Sequence, residues 1–328
     1  MLGKNIFLFF FIIISTWSNS FAFDHSGFKQ WPDTDFTKYS IRLEDVLSLG
    51  SGKDGIASID NPVFKDSKYV TDIPLNEPVI SVNIEGQVRA YPLRMLIWHE
   101  IVNDKIADIP IAITYSPLSS SAIVYDRRVG GVESRFGVTG QLYKSNTLMY
   151  DSTTYSWWQQ YTGEAVVGKQ IGKKLNIITS RIESLAMFKA RYEDSKIMVS
   201  NTVMKIYGTN PYVNYDTYFP VLYNEQYSKK INPMQYLVVV GNNAWPLHIL
   251  IDKKLIKTGD MEGDIVLRWF PYQSSALDNA VIAKGRELGN VIAMQKQKDG
   301  SYENIPYKVT FAFIFDAFHK DGIVHSNK

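Results

Sequence analysis

Four serines, Ser116, Ser119, Ser120 and Ser121, stand around Pro117 in the stretch AITYSPLSSSAIVYD, between two apolar runs. Hydroxyls in such a place can act as nucleophiles, meet a ligand, or cap backbone groups freed where a strand ends. A nucleophilic serine needs a base that is itself oriented. Of the 5 histidines, His25 and His325 stand near the termini, which leaves His99, His248 and His319. The loop holds no Gly-x-Ser-x-Gly elbow and no Ser-x-x-Lys, so these residues do not spell a serine hydrolase.

Tyr115 adjoins the serines, and Tyr143, Tyr150, Tyr155, Trp157, Trp158 and Tyr161 crowd a segment just downstream. Aromatic-rich clefts suit sugars, peptides and other small ligands. The candidate ligand-binding residues are therefore Tyr115, Ser116, Ser119, Ser121, Tyr150, Trp157 and Trp158. The same aromatics would equally serve as core in a strand buried on both faces. His99, Glu100, Asp126 and Asp151 are candidate ligands for a transition metal, with zinc or copper(II) suited to nitrogen and oxygen donors. No spacing supports that set directly, because HEIVN carries Asn103 where a zincin needs its second histidine.

Lys and Arg number 35 against 33 Asp and Glu, and the basic residues are scattered. That argues against nucleic acid or anionic lipid as the main partner. The chain has no cysteine, which excludes disulfides, thiolate chemistry and Cys-ligated metal. Lys4, the apolar run Ile6–Ile14 and the ending Ser20-Phe21-Ala22 predict a signal peptide over residues 1–22. A membrane anchor would need about 20 apolar residues, and Ser15, Ser18, Asn19 and Ser20 interrupt this run. The expectation is an exported protein, periplasmic or secreted, with no membrane span once the signal is removed.

Residues 23–75 read as irregular, with a short helix near Arg42–Leu49 stopped by Gly50. PVISVNIEG alternates as a half-buried strand ending at a Glu-Gly turn, and AYPLRMLIW reads as a short helix with Pro92 at its start. EIVNDKIADIPIAITY predicts two strands about a polar turn, and FGVTGQLYKSNTLMYD onward several more. In SRIESLAMFKARYED, Ser180 and Glu183 suggest a capping box opening a helix. VTFAFIFDAF reads as an almost wholly apolar strand, with His319 just beyond it.

Laid against each other without a gap, residues 79–126 and 233–280 share Ala90/Ala244, Pro92/Pro246, Leu93/Leu247, Leu96/Leu250 and Ile97/Ile251. Ile111, Pro117, Ser120, Ser121 and Ala122 likewise meet Ile265, Pro271, Ser274, Ser275 and Ala276. Clustering of this kind points to an internal duplication. It also makes part of the serine pattern architectural, since only Ser116 and Ser119 are peculiar to the first copy. The fold expected is mainly β with a few helices (α+β), built as two related β-rich lobes. The boundaries are a first repeat at 76–165, a helix-containing insertion and linker at 166–230, and a second repeat at 231–328.

The stretches KDGIASIDNPVF, RAYPLRMLIWHEIVND, ITYSPLSSSAIVYDRR, FGVTGQLYKSNTLMYD and FAFIFDAFHKD together resemble the domain-of-unknown-function 3179 family, found in exported and other prokaryotic proteins. The resemblance runs from about Lys53 to the C-terminus and brings no established activity. Its members commonly read Tyr-Cys-Pro-Leu-Cys/Thr-x-Ser where this chain has Tyr115-Ser116-Pro117-Leu118-Ser119-Ser120-Ser121. It thus implies a thiol pair, redox-active or metal-binding, that this chain lacks. The function expected is that of a non-catalytic envelope protein binding a small ligand or an envelope partner. The alternatives are a metal-binding protein or metal-dependent enzyme using His99 and nearby carboxylates.

Overall fold

The computed structural model describes residues 29–200, 206–227, 230–259 and 264–326; the signal peptide expected over 1–22 lies outside them. The chain is mainly β, with 41% strand and 16% helix, and is arranged as a five-bladed propeller. The first blade orders Val46–Ser48, Phe136–Tyr143, Asn146–Asp151, Trp157–Gln159 and Ala165–Val167. The second runs Ile177–Ile178, Ser121–Asp126, Ile109–Ser116, Ile101–Ile106. The third runs Ser180–Ser184, Pro78–Ile84, Gln87–Pro92, Lys196–Val199, Val63–Asp66. Lys308–Phe311, Tyr236–Val240, Asn243–Pro246 and Ile323–Val324 make the fourth, and Leu255–Thr258, Ile265–Phe270, Asn290–Lys296 and Tyr302–Asn304 the fifth.

Tight turns explain why neighbouring strands pair. Glu85-Gly86, Ala107-Asp108 and Lys144-Ser145 all take positive φ, the backbone of two-residue hairpin turns whose twist matches that of the strands. Four α-helices of seven residues lie among the described residues: α1 Leu93–His99, α2 Leu185–Arg191, α3 Leu247–Lys253 and α4 Ala312–Phe318. None of them is long and apolar enough to cross a membrane.

Several local expectations change. Arg42–Leu49 is one 3-10 turn, Leu43–Asp45, followed by a strand whose Val46 faces Tyr143. Pro78–Ile84 is buried at every position but Asn83, because its two faces pack into different clusters, Val79 with Leu185 and Phe188, and Ile80, Val82 and Ile84 with the main core. Ser180–Ser184 is a strand paired with Pro78–Val82, so α2 starts four residues later than a Ser180 cap would place it. Its cap is Ser184, whose Oγ accepts the Met187 amide at 3.2 Å. The apolar run after Val309 splits into strand and α4, since a run buried all round carries no period to tell helix from strand.

The offset of 154 residues survives in detail from Ala90 to Phe270, beyond which the strand Ser121–Asp126 has no counterpart. The helix Leu93–His99, with Glu100 after it at φ 56, recurs as Leu247–Lys253 followed by Lys254 at φ 62. The pairs Ile101↔Thr114 and Leu255↔Arg268 keep the same spacing. Before Ala90 the ungapped match fails. Val79 faces Pro92 where Leu237 faces Pro246, so the second hairpin is shorter by four residues. The strand-to-helix unit recurs again: Lys196 and Ile197 run parallel to Arg89 and Ala90, as Ile323 and Val324 do to Asn243 and Ala244.

The two stretches do not fold as separate lobes. One hydrophobic core joins Ile80, Leu96 and Ile113 to Val238, Leu250, Leu267 and Phe311. A small cavity of about 30 Å³ is lined by Pro78, Leu93, Ser120 and Ile182 together with Tyr236, Leu247, Ser274 and Val309. Residues 166–230, read as an insertion, supply strands to the second and third blades.

Candidate functional site

Strand Ile109–Ser116 delivers Tyr115 and Ser116 to the serine turn, and a single 3-10 turn, Pro117–Ser119, carries the chain across. Ser120 adopts the left-handed conformation, φ 49, and the chain re-enters the sheet with Ser116 facing Ser121. Ser116, Ser119 and Ser121 are all buried. Burial forces their hydroxyls to find partners. Ser119 Oγ is 2.7 Å from Ser121 Oγ and 3.1 Å from the Ser116 carbonyl. Ser121 donates to Gln160 Oε1 at 2.7 Å, while Asn146 Nδ2 donates to Ser119 Oγ at 2.9 Å and to the same Gln160 oxygen at 2.8 Å. Gln160 Nε2 closes the set on Thr114 Oγ1 at 2.9 Å.

Ser116 belongs to a separate chain of groups. Its Oγ accepts the Thr147 amide at 3.2 Å and lies 3.1 Å from Thr147 Oγ1, which is 2.8 Å from Glu100 Oε2. Thr147 has one hydroxyl proton, and with that proton given to the carboxylate, Ser116 donates to Thr147. Glu100 is 3% exposed, and burial raises its carboxyl to about 7 against the opposing pull of the Thr147 hydroxyl. Its counterpart Lys254 is exposed.

The four metal candidates hold four different parts of the scaffold. His99 Nδ1 donates to the Ala57 carbonyl at 2.7 Å, and its Nε2 meets the Tyr207 hydroxyl at 2.6 Å. Glu100 closes the Thr147 chain. Asp126 accepts the Arg128 backbone amide and side-chain Nε, both at 2.9 Å. Asp151 accepts the Thr153 and Thr154 amides and the Trp158 indole N–H at 2.8 Å. Among the described residues no three His, Asp or Glu lie close enough together to hold a metal ion.

The aromatic candidates are core. Trp157 and Trp158 are at most 1% exposed, Trp157 packing edge-on to Trp31 and Phe36, and Trp158 to Phe136. The ligand surface expected of them is absent because their strand is covered on both faces. Tyr150 is buried too, and its hydroxyl donates to Asp54 Oδ2 at 2.5 Å and accepts from Arg135 at 2.8 Å. Tyr115 is 2% exposed and faces the small central cavity.

An open cleft lies elsewhere, between the second and fourth blades, with a volume of about 270 Å³. Ile123, Ile177, Ile178 and Val239 are among its apolar lining residues, and Asn242, Lys308, His319 and Lys174 among its polar ones. Lys308 Nζ donates to the Tyr161 carbonyl at 2.9 Å and sits 3.9 Å from the centroid of the Tyr161 ring. Burial lowers its ammonium to about 7, Lys174 adding to the effect and Glu164 opposing it. His319 Nδ1 is 3.0 Å from Asn242 Oδ1 and its Nε2 is 3.3 Å from the Tyr161 hydroxyl. Burial first, then Lys308 and Lys174, hold that imidazole down to about 4. Among the described residues no carboxylate forms an ion pair with Lys308, whereas Lys174 is paired with Glu164 at 3.2 Å.

His319 stood among the sequence candidates as a base, but Lys308 did not. The signal was a single lysine opening the run KVTFAFIFDAF, where a cation has little water to reach. A family model described as a protein of unknown function (DUF3179) matches residues 53–322. No curated protein and no solved structure matches the chain.

Proposed function

The chain belongs to the DUF3179 family, and we propose that it is an exported binding protein, periplasmic or secreted, without catalytic chemistry. The cleft between the second and fourth blades is its binding site. The carrying observation is that this cleft combines an apolar lining with Lys308, a cation that no carboxylate pairs with among the described residues. Small-ligand sites have this composition, mostly apolar with a few placed polar groups. The hydroxyls that replace the family's thiols are spent on one another and on Gln160, Asn146 and Thr147, which favours a structural role over a reactive one. The recurrence at 154 residues supports an ancestral duplication of a two-blade unit, with the first blade added to it.

The test is native mass spectrometry of the protein extracted from its own envelope, beside the variant Ile177→Trp. Ile177 is 39% exposed on the edge strand lining the cleft, so an indole there fills the mouth without disturbing the core. A bound mass carried by the wild type and missing from the folded variant supports the reading. An identical bare mass for both, with no small molecule raising the wild-type Tm, contradicts it.

A further inference from the structure

We infer that the cleft takes a small organic monocarboxylate, its charge held by Lys308 and its body laid against Ile123, Ile177, Ile178 and Val239. The inference rests on the binding reading above and adds the chemistry of the occupant. Three features of the polar lining converge on it. Lys308 is the one lining lysine without an acidic partner among the described residues, since Lys174 is held by Glu164. One uncompensated cation matches one negative charge. His319 offers that charge no further proton: its Nδ1–H donates to Asn242 Oδ1, and Nε2 faces the Tyr161 hydroxyl. Asn242 has thus spent its oxygen on the histidine, and its amide nitrogen is left to donate into the cleft it lines.

The apolar lining sets the rest of the molecule. Four aliphatic side chains from two blades offer no polar side-chain atom, so the body of the ligand is apolar. At about 270 Å³ the cleft falls below the roughly 300 Å³ at which sites for drug-sized molecules begin. A short aliphatic or single-ring acid fits that space. The depressed basicity of Lys308 agrees with such an occupant, because an ammonium kept from water and without a counter-ion gains most when an anion arrives.

The probe is benzoate, compared with its neutral analogue benzamide, by titration calorimetry on the full chain. A hydrogen bond to a charged partner in a partly dry cleft should favour benzoate by roughly tenfold or more. Lys308→Gln should remove that preference, and Lys308→Arg, which keeps the charge, should retain it. Ile177→Trp should abolish both titrations. Equal binding of the two compounds to wild type, or a preference that persists in Lys308→Gln, overturns the anion and leaves the cleft standing. Binding unaffected by Ile177→Trp overturns the cleft itself. No benzoate binding at millimolar concentration overturns the carboxylate.

Discussion

Glu100 is the residue in which backbone and side chain are both under constraint. It takes φ 56 at the end of α1, a conformation that costs a non-glycine residue about 1–3 kcal/mol, and it buries a carboxyl against Thr147. Among the described residues Tyr115 and Tyr212 are titratable groups that interact with it, and neither supplies a positive charge. The fold therefore prefers the protonated acid. Its value rises from 4.5 to about 7, so the stability held through this group is complete below pH 4.5 and is lost as pH climbs toward 7. The rise corresponds to about 3 kcal/mol at most. Urea unfolding at pH 4.5 and pH 8 should show Glu100→Gln losing less stability over that interval than wild type. Burial pushes Glu77 to about 7 as well, despite Arg94, but it titrates in both proteins and cancels in the difference. Parallel pH dependences would refute the assignment.

At the scale of elements, the boundary of α2 decides between two serines. Ser184 accepts the Met187 amide, whereas Ser180 sits in the paired strand. Ser184→Ala should cost about 1 kcal/mol, the usual loss for an N-cap. Ser180→Ala should stay within about 0.5 kcal/mol, as a substitution away from caps and buried networks does. Chemical denaturation of the two variants checks this, and equal losses would return the cap to Ser180. The displacement has a physical cause. Glu183, expected to complete a capping box, faces Val79 in the sheet and binds Ser81 and Arg191. Sheet pairing and a buried ion pair outweigh a local cap.

At the scale of the molecule, the core binds residues from both halves of the chain in one cluster, from Ile80 to Ile314. Two lobes with their own cores would melt in two steps; a shared core predicts a single cooperative transition. Differential scanning calorimetry should give one peak whose calorimetric and van't Hoff enthalpies agree. Two resolved peaks would restore the independent lobes. The small central cavity bears on the same point, because its wall is drawn from both halves of the chain.

Short-range order was legible in the residues themselves. Hairpin turns, the helices after Pro92 and Pro246, the recurrence at 154 residues and the absence of thiols all follow from neighbouring side chains and chain chemistry. The serine turn was not legible: Ser121 opens a strand, whereas Ser275, at the matching position, lies in none. Only tertiary structure decided which polar groups share a site. Lys308 meets Tyr161 across 147 positions, and Thr147 meets Glu100 across 47. It also turned Trp157 and Trp158 from candidate ligand contacts into core. Periodicity reports which face of one element avoids water, but contacts between distant elements depend on how blades pack, and packing is a property of the whole chain.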